Sequence, residues 1–593
     1  MGFLDQNYRK QLAAGALALL AAVPIAFAVY YVNFIWSEDP EKAVKIVGVL
    51  FGVLGFVPPF LYLLIRGRSA KLGELGLIMI ATVAVLSVAC YLFQAGFYVM
   101  FRGDFIIWSE SDFVNDILKF RQGYPLFTAQ ANNESFIYPP GSQLLTYLIS
   151  WLTGGANSIP AYRIIQVGYT ALAAVVAFLC CRRLVKNVSP EDSNILGRWY
   201  WGVIWLVGLF LMATNSLSNP FVHLLHNDSL AQLLTVTAFW LLLEYEASED
   251  KRILWVMVLL PAVGFWVKQS LIIWAGLYLL YLITFIRPRS IARIIGFGTA
   301  SFGAVLVSIG IGYLLWQGDF IYWVFTVLRA HGVSPLRSFK HLLDIWEYFA
   351  VGLVGGLVLL QLTGLKKLLG PWLVWLILIS TETYTSGVAW MLNHIGPGCL
   401  IAGIWFWAAF AILWSRYFNA ELKTADLNEW LKLAVGTAVI CLLFSGLGII
   451  RVPVRPFDFQ DSQRYVEEIE NEFAGEEPES VLLDTGTWIY LKDGVIQKDR
   501  ASTFGDRGYA QIGDFSGFSD RLKQKHYKKI LVRNYHSPDF WYDHELWSKS
   551  SQIRQTLMEN YQEIGTIKAV NGLKPEELPY GFSEISILVP RTN

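Results

Sequence analysis

The sequence predicts a polytopic α-helical membrane protein of about thirteen transmembrane helices, followed by a C-terminal extracytoplasmic α/β domain. Three observations carry that prediction. Of 593 residues, 54% are hydrophobic and only 16% charged, against roughly 25% charged in an ordinary soluble domain. Apolar runs recur from the N-terminus to about residue 450, many near the length of about 20 residues that a bilayer core demands of a helix. After residue 451 charges of both signs and turn residues return, and no run is long enough to cross. A water-soluble enzyme is excluded.

The spans fall near 11–36, 44–65, 74–101, 161–181, 199–214, 221–244, 253–267, 269–286, 291–316, 345–364, 370–388, 391–415 and 429–450. The first follows Arg9 and Lys10 and is too long for a signal-peptide core, so it is expected to stay as an anchor. Lys and Arg crowd alternate short loops: Arg9/Lys10, Arg66/Arg68/Lys71, Arg182/Arg183/Lys186, Lys251/Arg252, Arg287/Arg289/Arg293, Lys366/Lys367 and Arg416/Lys423. Such loops are retained in the cytoplasm. The expected topology is multi-pass in the plasma (inner) membrane, with a cytoplasmic N-terminus and an extracytoplasmic C-terminus. It places residues 102–160, 317–344 and everything after 451 outside.

Residues 1–450 form the expected transmembrane module and residues 451–593 the soluble domain. In the latter, strand-like runs at Val481–Leu483, Ile530–Val532 and Ile585–Val589 alternate with helical patterns near 461–473 and 549–561. With 47 Lys+Arg against 47 Asp+Glu, there is no basic excess of the kind that neutralises phosphates, so nucleic acid is not an expected partner. Cys90, Cys180, Cys181, Cys399 and Cys441 lie in or beside apolar segments without CxxC spacing and read as small core residues.

The chemistry gathers at the outer edge. Glu110 and Asp112 follow the third span in Trp108-Ser109-Glu110-Ser111-Asp112-Phe113, at the start of a loop that continues through Gly123-Tyr124-Pro125-Leu126-Phe127. A carboxylate there can take a proton from a hydroxyl arriving from outside while facing a lipid-linked partner, although most loop acids are simply solvated. The loop runs on through Phe136-Ile137-Tyr138-Pro139-Pro140-Gly141 into an apolar segment at 143–153. That segment is too short to cross and is expected to lie in the interface.

These residues carry a resemblance. Asp112-Phe113, a helix ending in Gly123-Tyr124-Pro125, and Tyr138-Pro139-Pro140 before a short apolar helix resemble the first outer loop of GT-C glycosyltransferases, which use polyprenyl-phosphate sugars. The pattern is most similar to polyprenol-phosphate-mannose-dependent mannosyltransferases and their arabinofuranosyltransferase relatives. It covers most of the chain in architecture and about 50 residues in sequence. Two departures stand: the loop follows the third span where the family has it after the first, and the C-terminal domain matches no carbohydrate-binding module.

The resemblance implies transfer of a monosaccharide from a polyprenyl phosphate to a hydroxyl of a glycan, glycolipid or protein, within membrane lipids and with no cofactor required. It makes Asp112 the catalytic acid-base, with Glu110 beside it and Tyr138 in the substrate-binding set. His226 and Asp228, in His223-Leu224-Leu225-His226-Asn227-Asp228, match the His-x-Asp cluster of such enzymes. Their alternatives are a helix cap by Asn227 or Asp228, or a divalent metal held with Glu110 and Asp112.

Lys268 sits in an outer turn where basic residues are disfavoured and is a candidate for the lipid phosphate, the alternative being snorkelling to headgroups. Arg329, His331, Arg337, His341, Asn393 and His394 are further candidates on the same face. In the tail, Asp484–Trp488, Phe504–Tyr509 and Phe540–His544 bring aromatics to loops, expected to pack rather than to stack on sugars. The rival reading is a transporter or flippase, which would place its ionisable groups near the bilayer midplane.

Overall fold

The structure is a computed structural model that describes most of residues 71–592. Residues 1–57, 66–70, 189–198, 215–220, 287–289, 364–367, 389–391, 418–431, 452–456, 500–513, 537–551 and 571–582, with scattered single positions, lie outside the described residues. The span expected at 11–36, most of that at 44–65 and part of that at 429–450 fall there, as do Phe504–Tyr509 and Phe540–His544.

Five helices among the described residues are long and apolar enough to cross a membrane: 73–100, 159–188, 291–330, 346–363 and 392–417. Shorter apolar helices cover 201–213 and 269–284. The elements in order are α1 (Leu72–Met100), α2 (Glu110–Arg121), α3 (Gly141–Leu152), α4 (Ile159–Val188), α5 (Trp199–Ala213), α6 (Asp228–Ser248), α7 (Lys251–Val267), α8 (Ile273–Thr284) and α9 (Ile291–Ile321). They continue with α10 (Pro335–Asp344), α11 (Trp346–Thr363), α12 (Leu369–Thr385) and α13 (Gly396–Tyr417).

The long helices are apolar on all sides, as suits segments with lipid or other helices around them. α13 is the axial one, buried along nearly its whole length. α11 approaches it at Gly355, where a Cβ would stand 2.8 Å from the carbonyl of Trp405. Only a small residue permits that backbone approach.

Two short helices above the bundle differ in character. α2 is buried from Glu110 to Lys119, covered from above by the C-terminal segment. α3 buries Ser142, Gln143, Thr146 and Ser150 and turns Leu145, Leu148, Trp151 and Leu152 outward, the arrangement of a helix whose apolar face meets lipid.

The C-terminal segment carries α14 (Phe459–Phe473), β1 (Val481–Leu483), α15 (Trp488–Asp493), α16 (Ser516–Lys523), β2 (Lys529–Arg533), α17 (Gln552–Asn560), β3 (Tyr561–Ile567) and β4 (Ile585–Pro590). The sheet order is β1-β2-β4-β3, with β1 and β2 parallel and the other pairs antiparallel. One face packs on α16 and α17 through Phe518, Leu522 and Leu557. On the other, Tyr465, Ile469, Trp488 and Leu531 share one buried cluster with Phe101, Phe105, Phe113, Ile117 and Trp323. The segment therefore does not stand apart from the membrane module: the first outer loop is the middle layer between them.

Candidate active site

The loop between α1 and α4 is fixed by one arginine. Arg163, in the first turn of α4 and fully buried, donates Nε to Glu110 Oε1 at 2.8 Å and Nη2 to Glu110 Oε2 at 2.5 Å. Its remaining hydrogens go to the carbonyls of Tyr98 (2.7 Å), Gly103 (2.6 Å) and Phe101. All five donors of the guanidinium are thus filled. Glu110 Oε1 also accepts the backbone N–H of Leu225 at 2.9 Å. Expected beside Asp112 as a catalytic acid, Glu110 is committed on both oxygens to joining α2, α4 and the 221–228 turn. Arg163 was missed by sequence reasoning. Its signal was the one that marked Lys268, a basic residue at the outer end of a span.

Asp112 lies two residues further on, about 200° round the helix from Glu110, buried in the first turn of α2, where the helix dipole favours a carboxylate. The next residue begins an aromatic wall. Phe113 stacks on Tyr138 with centroids 6.0 Å apart and meets the His226 ring edge-on at 5.0 Å. Phe221 and Tyr138 flank His226 at 4.9 and 6.1 Å. The Asp112 end of α2 and the His226 turn are therefore adjacent.

His226 opens a buried polar cluster. Its Nδ1 stands 3.1 Å from Asp228 Oδ2. Asp228 Oδ1 accepts Lys268 Nζ at 2.5 Å, and Asn393 donates its side-chain amide to Oδ2. Lys268 Nζ lies 3.2 Å from His394 Nδ1. Because an ammonium only donates, that contact makes Nδ1 the acceptor of His394.

Three chain segments build this cluster: the start of α6, the break between α7 and α8, and the 392–395 turn before α13. At the break, Lys268 is extended (φ −156°, ψ 130°), which frees its side chain from either helix. Asn227 makes no capping hydrogen bond. Its amide donates to Val267 O at 3.3 Å instead, so the capping alternative for it gives way to a tie across the same break. Glu382 of α12, also missed, accepts the Gly398 N–H at 2.9 Å and is within electrostatic reach of Lys268.

The other outer-loop candidates divide. Arg329 is exposed and His331 partly so. Arg337 donates to the carbonyls of Gly387 and Val388, both at 3.1 Å, and His341 Nδ1 meets Ser386 Oγ at 2.8 Å. These two shape the chain leading to Asn393 and His394. Burial holds the His341 imidazole below its ordinary pKa.

From above, the C-terminal segment grips α2 through polar contacts. Asp104 accepts the backbone N–H groups of Thr487 (2.9 Å) and Trp488 (3.2 Å) at the start of α15. Thr487 Oγ1 donates to Ser111 O at 3.1 Å. Asn115 and Gln497 exchange two bonds of 3.1 Å, and Gln122 donates to Gly494 O at 2.8 Å. Trp488 is buried against Phe105, with its Nε1 on Glu470, so this aromatic is used for packing.

The metal alternative finds little support in this geometry. Glu110 is engaged by Arg163 and Asp228 by Lys268, and among the described residues no group of three or more His, Cys, Asp or Glu is placed to hold an ion.

No family model matches the sequence, and no curated protein matches it. Among solved structures, the fold is similar to the Archaeoglobus fulgidus oligosaccharyltransferase tethered to an acceptor peptide containing the NVT sequon, with TM-score 0.49 and 10% identity over 83% of this chain and 72% of that one. It is similar also to oligosaccharyltransferase AglB of the same organism in complex with an inhibitory peptide and a dolichol-phosphate (0.48, 10%, 88% and 76%). A third is ArnT from Cupriavidus metallidurans in the apo state (0.39, 13%, 74% and 80%).

Proposed function

We propose that this protein is an integral-membrane glycosyltransferase that moves a monosaccharide from a polyprenyl phosphate to an acceptor hydroxyl on the extracytoplasmic face of the plasma membrane. The observation that carries the reading is the buried His226–Asp228–Lys268–Asn393–His394 cluster beside the aromatic wall that starts one residue after Asp112. Lys268 has three ammonium hydrogens and, among the described residues, two partners, Asp228 and His394. One hydrogen remains for a lipid phosphate.

In the proposed reaction, Asp112 takes the proton of the acceptor hydroxyl as its oxygen attacks the anomeric carbon. The bond from that carbon to the phosphate oxygen breaks, and the charge left on the polyprenyl phosphate is met by Lys268, steadied by Asp228 and His394. Such preorganised charge acts where it develops and needs no reorganisation at that moment. Glu110 takes a positioning role: through Arg163 it fixes the turn of α2 from which Asp112 projects. The acceptor is a glycan, a glycolipid or a protein.

The test is transfer from radiolabelled polyprenyl-phosphate monosaccharides by the purified protein in detergent. Asp112→Asn is expected to lower turnover by about 100-fold or more while keeping the thermal transition of the parent. Near-parental turnover in that variant would remove Asp112 from the mechanism.

A further inference from the structure

The turn that carries His226 has a second side. His223, three residues earlier and 1% exposed, lies against Tyr98 with centroids 4.5 Å apart and meets Tyr91 edge-on at 6.3 Å. Among the described residues neither ring nitrogen of His223 has a hydrogen-bond partner, and nor does the hydroxyl of Tyr91, itself 2% exposed.

Arg451, where the chain leaves the bundle, completes the group. Its backbone N–H donates to Ser87 Oγ at 3.2 Å, one helical turn from Tyr91, and its Nη2 donates to Thr214 O at 2.6 Å. Its Nε is shut off from solvent and unpartnered. The guanidinium is within electrostatic reach of both Tyr91 and His223.

No carboxylate pairs with Arg451 among the described residues. The buried cations nearby are all answered: Arg163 by Glu110, Lys268 by Asp228 and Lys119 by Asp116. Arg451 itself is partly exposed, but its Nε is buried, and buried polar groups are nearly always paired. Three donors, a guanidinium Nε–H, an imidazole N–H and a phenol O–H, belong to this group, and among the described residues none has a hydrogen-bond partner. One oxyanion satisfies all three, and the planar guanidinium matches phosphate and carboxylate alike.

We propose that Tyr91, His223 and Arg451 form a second ligand site that receives a phosphate or carboxylate group of the acceptor, on the opposite side of the 221–228 turn from the donor phosphate. The site itself stands on its own geometry, whereas its assignment to the acceptor rests on the function proposed above. Two substrates would then approach the same turn from two sides, each held by its own cation.

Equilibrium dialysis of the purified full chain with radiolabelled inorganic phosphate tests the site without needing activity. Two saturable sites are expected, with Lys268→Met abolishing one and Arg451→Met the other. Tyr91→Phe removes only a buried hydroxyl that has no partner, so it should leave thermal stability unchanged or raised. It should weaken the second site about tenfold, the loss of one hydrogen bond to a charged group. Unaltered phosphate binding in both Arg451→Met and Tyr91→Phe would overturn the proposal.

A second arm separates the sources of the anion. If the group belongs to the acceptor, Tyr91→Phe raises KM for the acceptor and leaves KM for the donor alone. If Tyr91→Phe leaves both values unchanged but releases a co-purified phospholipid seen by mass spectrometry, the site holds a resident headgroup and the acceptor assignment falls. A phosphate site that depends on Arg451 in a protein with no transferase activity would sustain the site and remove the proposed function.

Discussion

Two buried cations flank the turn at residues 221–228, and they are held in opposite ways. Arg163 spends all five donors inside the protein, on both oxygens of Glu110 and three carbonyls. Lys268 shares one carboxylate with His226 and Asn393, leans on an imidazole, and among the described residues has a third hydrogen without a partner. A saturated charge is a fastener, because any movement breaks several bonds at once. An unsaturated one beside an aromatic wall is poised to receive something. The same contrast separates Arg163 from Arg451.

The sharpest way to break this comparison is to remove one partner from each pair. Glu110→Ala leaves Arg163 buried and unpaired, which is expected to cost about 3–5 kcal/mol, read as a large fall of the thermal transition in detergent. Lys268→Met should instead lower transfer by about two to three orders of magnitude with a clearly smaller loss of thermal stability. If Lys268→Met unfolds as readily as Glu110→Ala and keeps its activity when folded, the two cations do not differ in kind.

The hold of the C-terminal segment on α2 ranks next. Asn115→Ala loses both of its bonds to the Gln497 backbone and should destabilise by about 1–3 kcal/mol, whereas Gln497→Ala keeps those main-chain groups and loses its bonds to Leu483 O and Thr487 Oγ1. Parental stability of Asn115→Ala in denaturation would mean that this hold contributes nothing.

The smallest expected effect is on pH dependence. His341 has its pKa lowered by burial in the fold, so the unfolded chain takes up the proton first. The stability it supports is present above the ordinary imidazole range and is lost as pH falls through and below it. His341→Gln should flatten that limb of the stability profile, and a profile that keeps its shape would place the titration elsewhere.

Much of the candidate site was legible because the membrane makes polarity conspicuous. Asp228, Lys268 and the Asn393-His394 pair stood out as ionisable or amide groups at the edges of apolar runs, and the fold brings them into one cluster with His226. Arg163 carried the same mark and was passed over because it sits just inside a span rather than in a loop. Glu382, near the end of another apolar run, was also readable in principle. Arg329 stood out for the same reason and yet is exposed, since a charge near the right surface says nothing about which way the loop turns.

The middle layer was not legible at all. Asn115 and Gln497 are 382 residues apart, and no local pattern announces that an amide on one will meet the backbone of the other. The same holds for Asp104 with Thr487 and Trp488.

The sequence by itself determined that this chain belongs in a membrane, where its polar residues gather, and which loop carries the acids. Those are local properties, because hydrophobicity is additive along a run and a charge in an apolar context is costly wherever the run ends up. Only the tertiary structure decided that Glu110 is bound to Arg163 while Lys268 keeps a hydrogen free, and that the C-terminal segment closes over α2. Pairing depends on which distant groups arrive at the same point, and each buried group accepts only the partners that reach it.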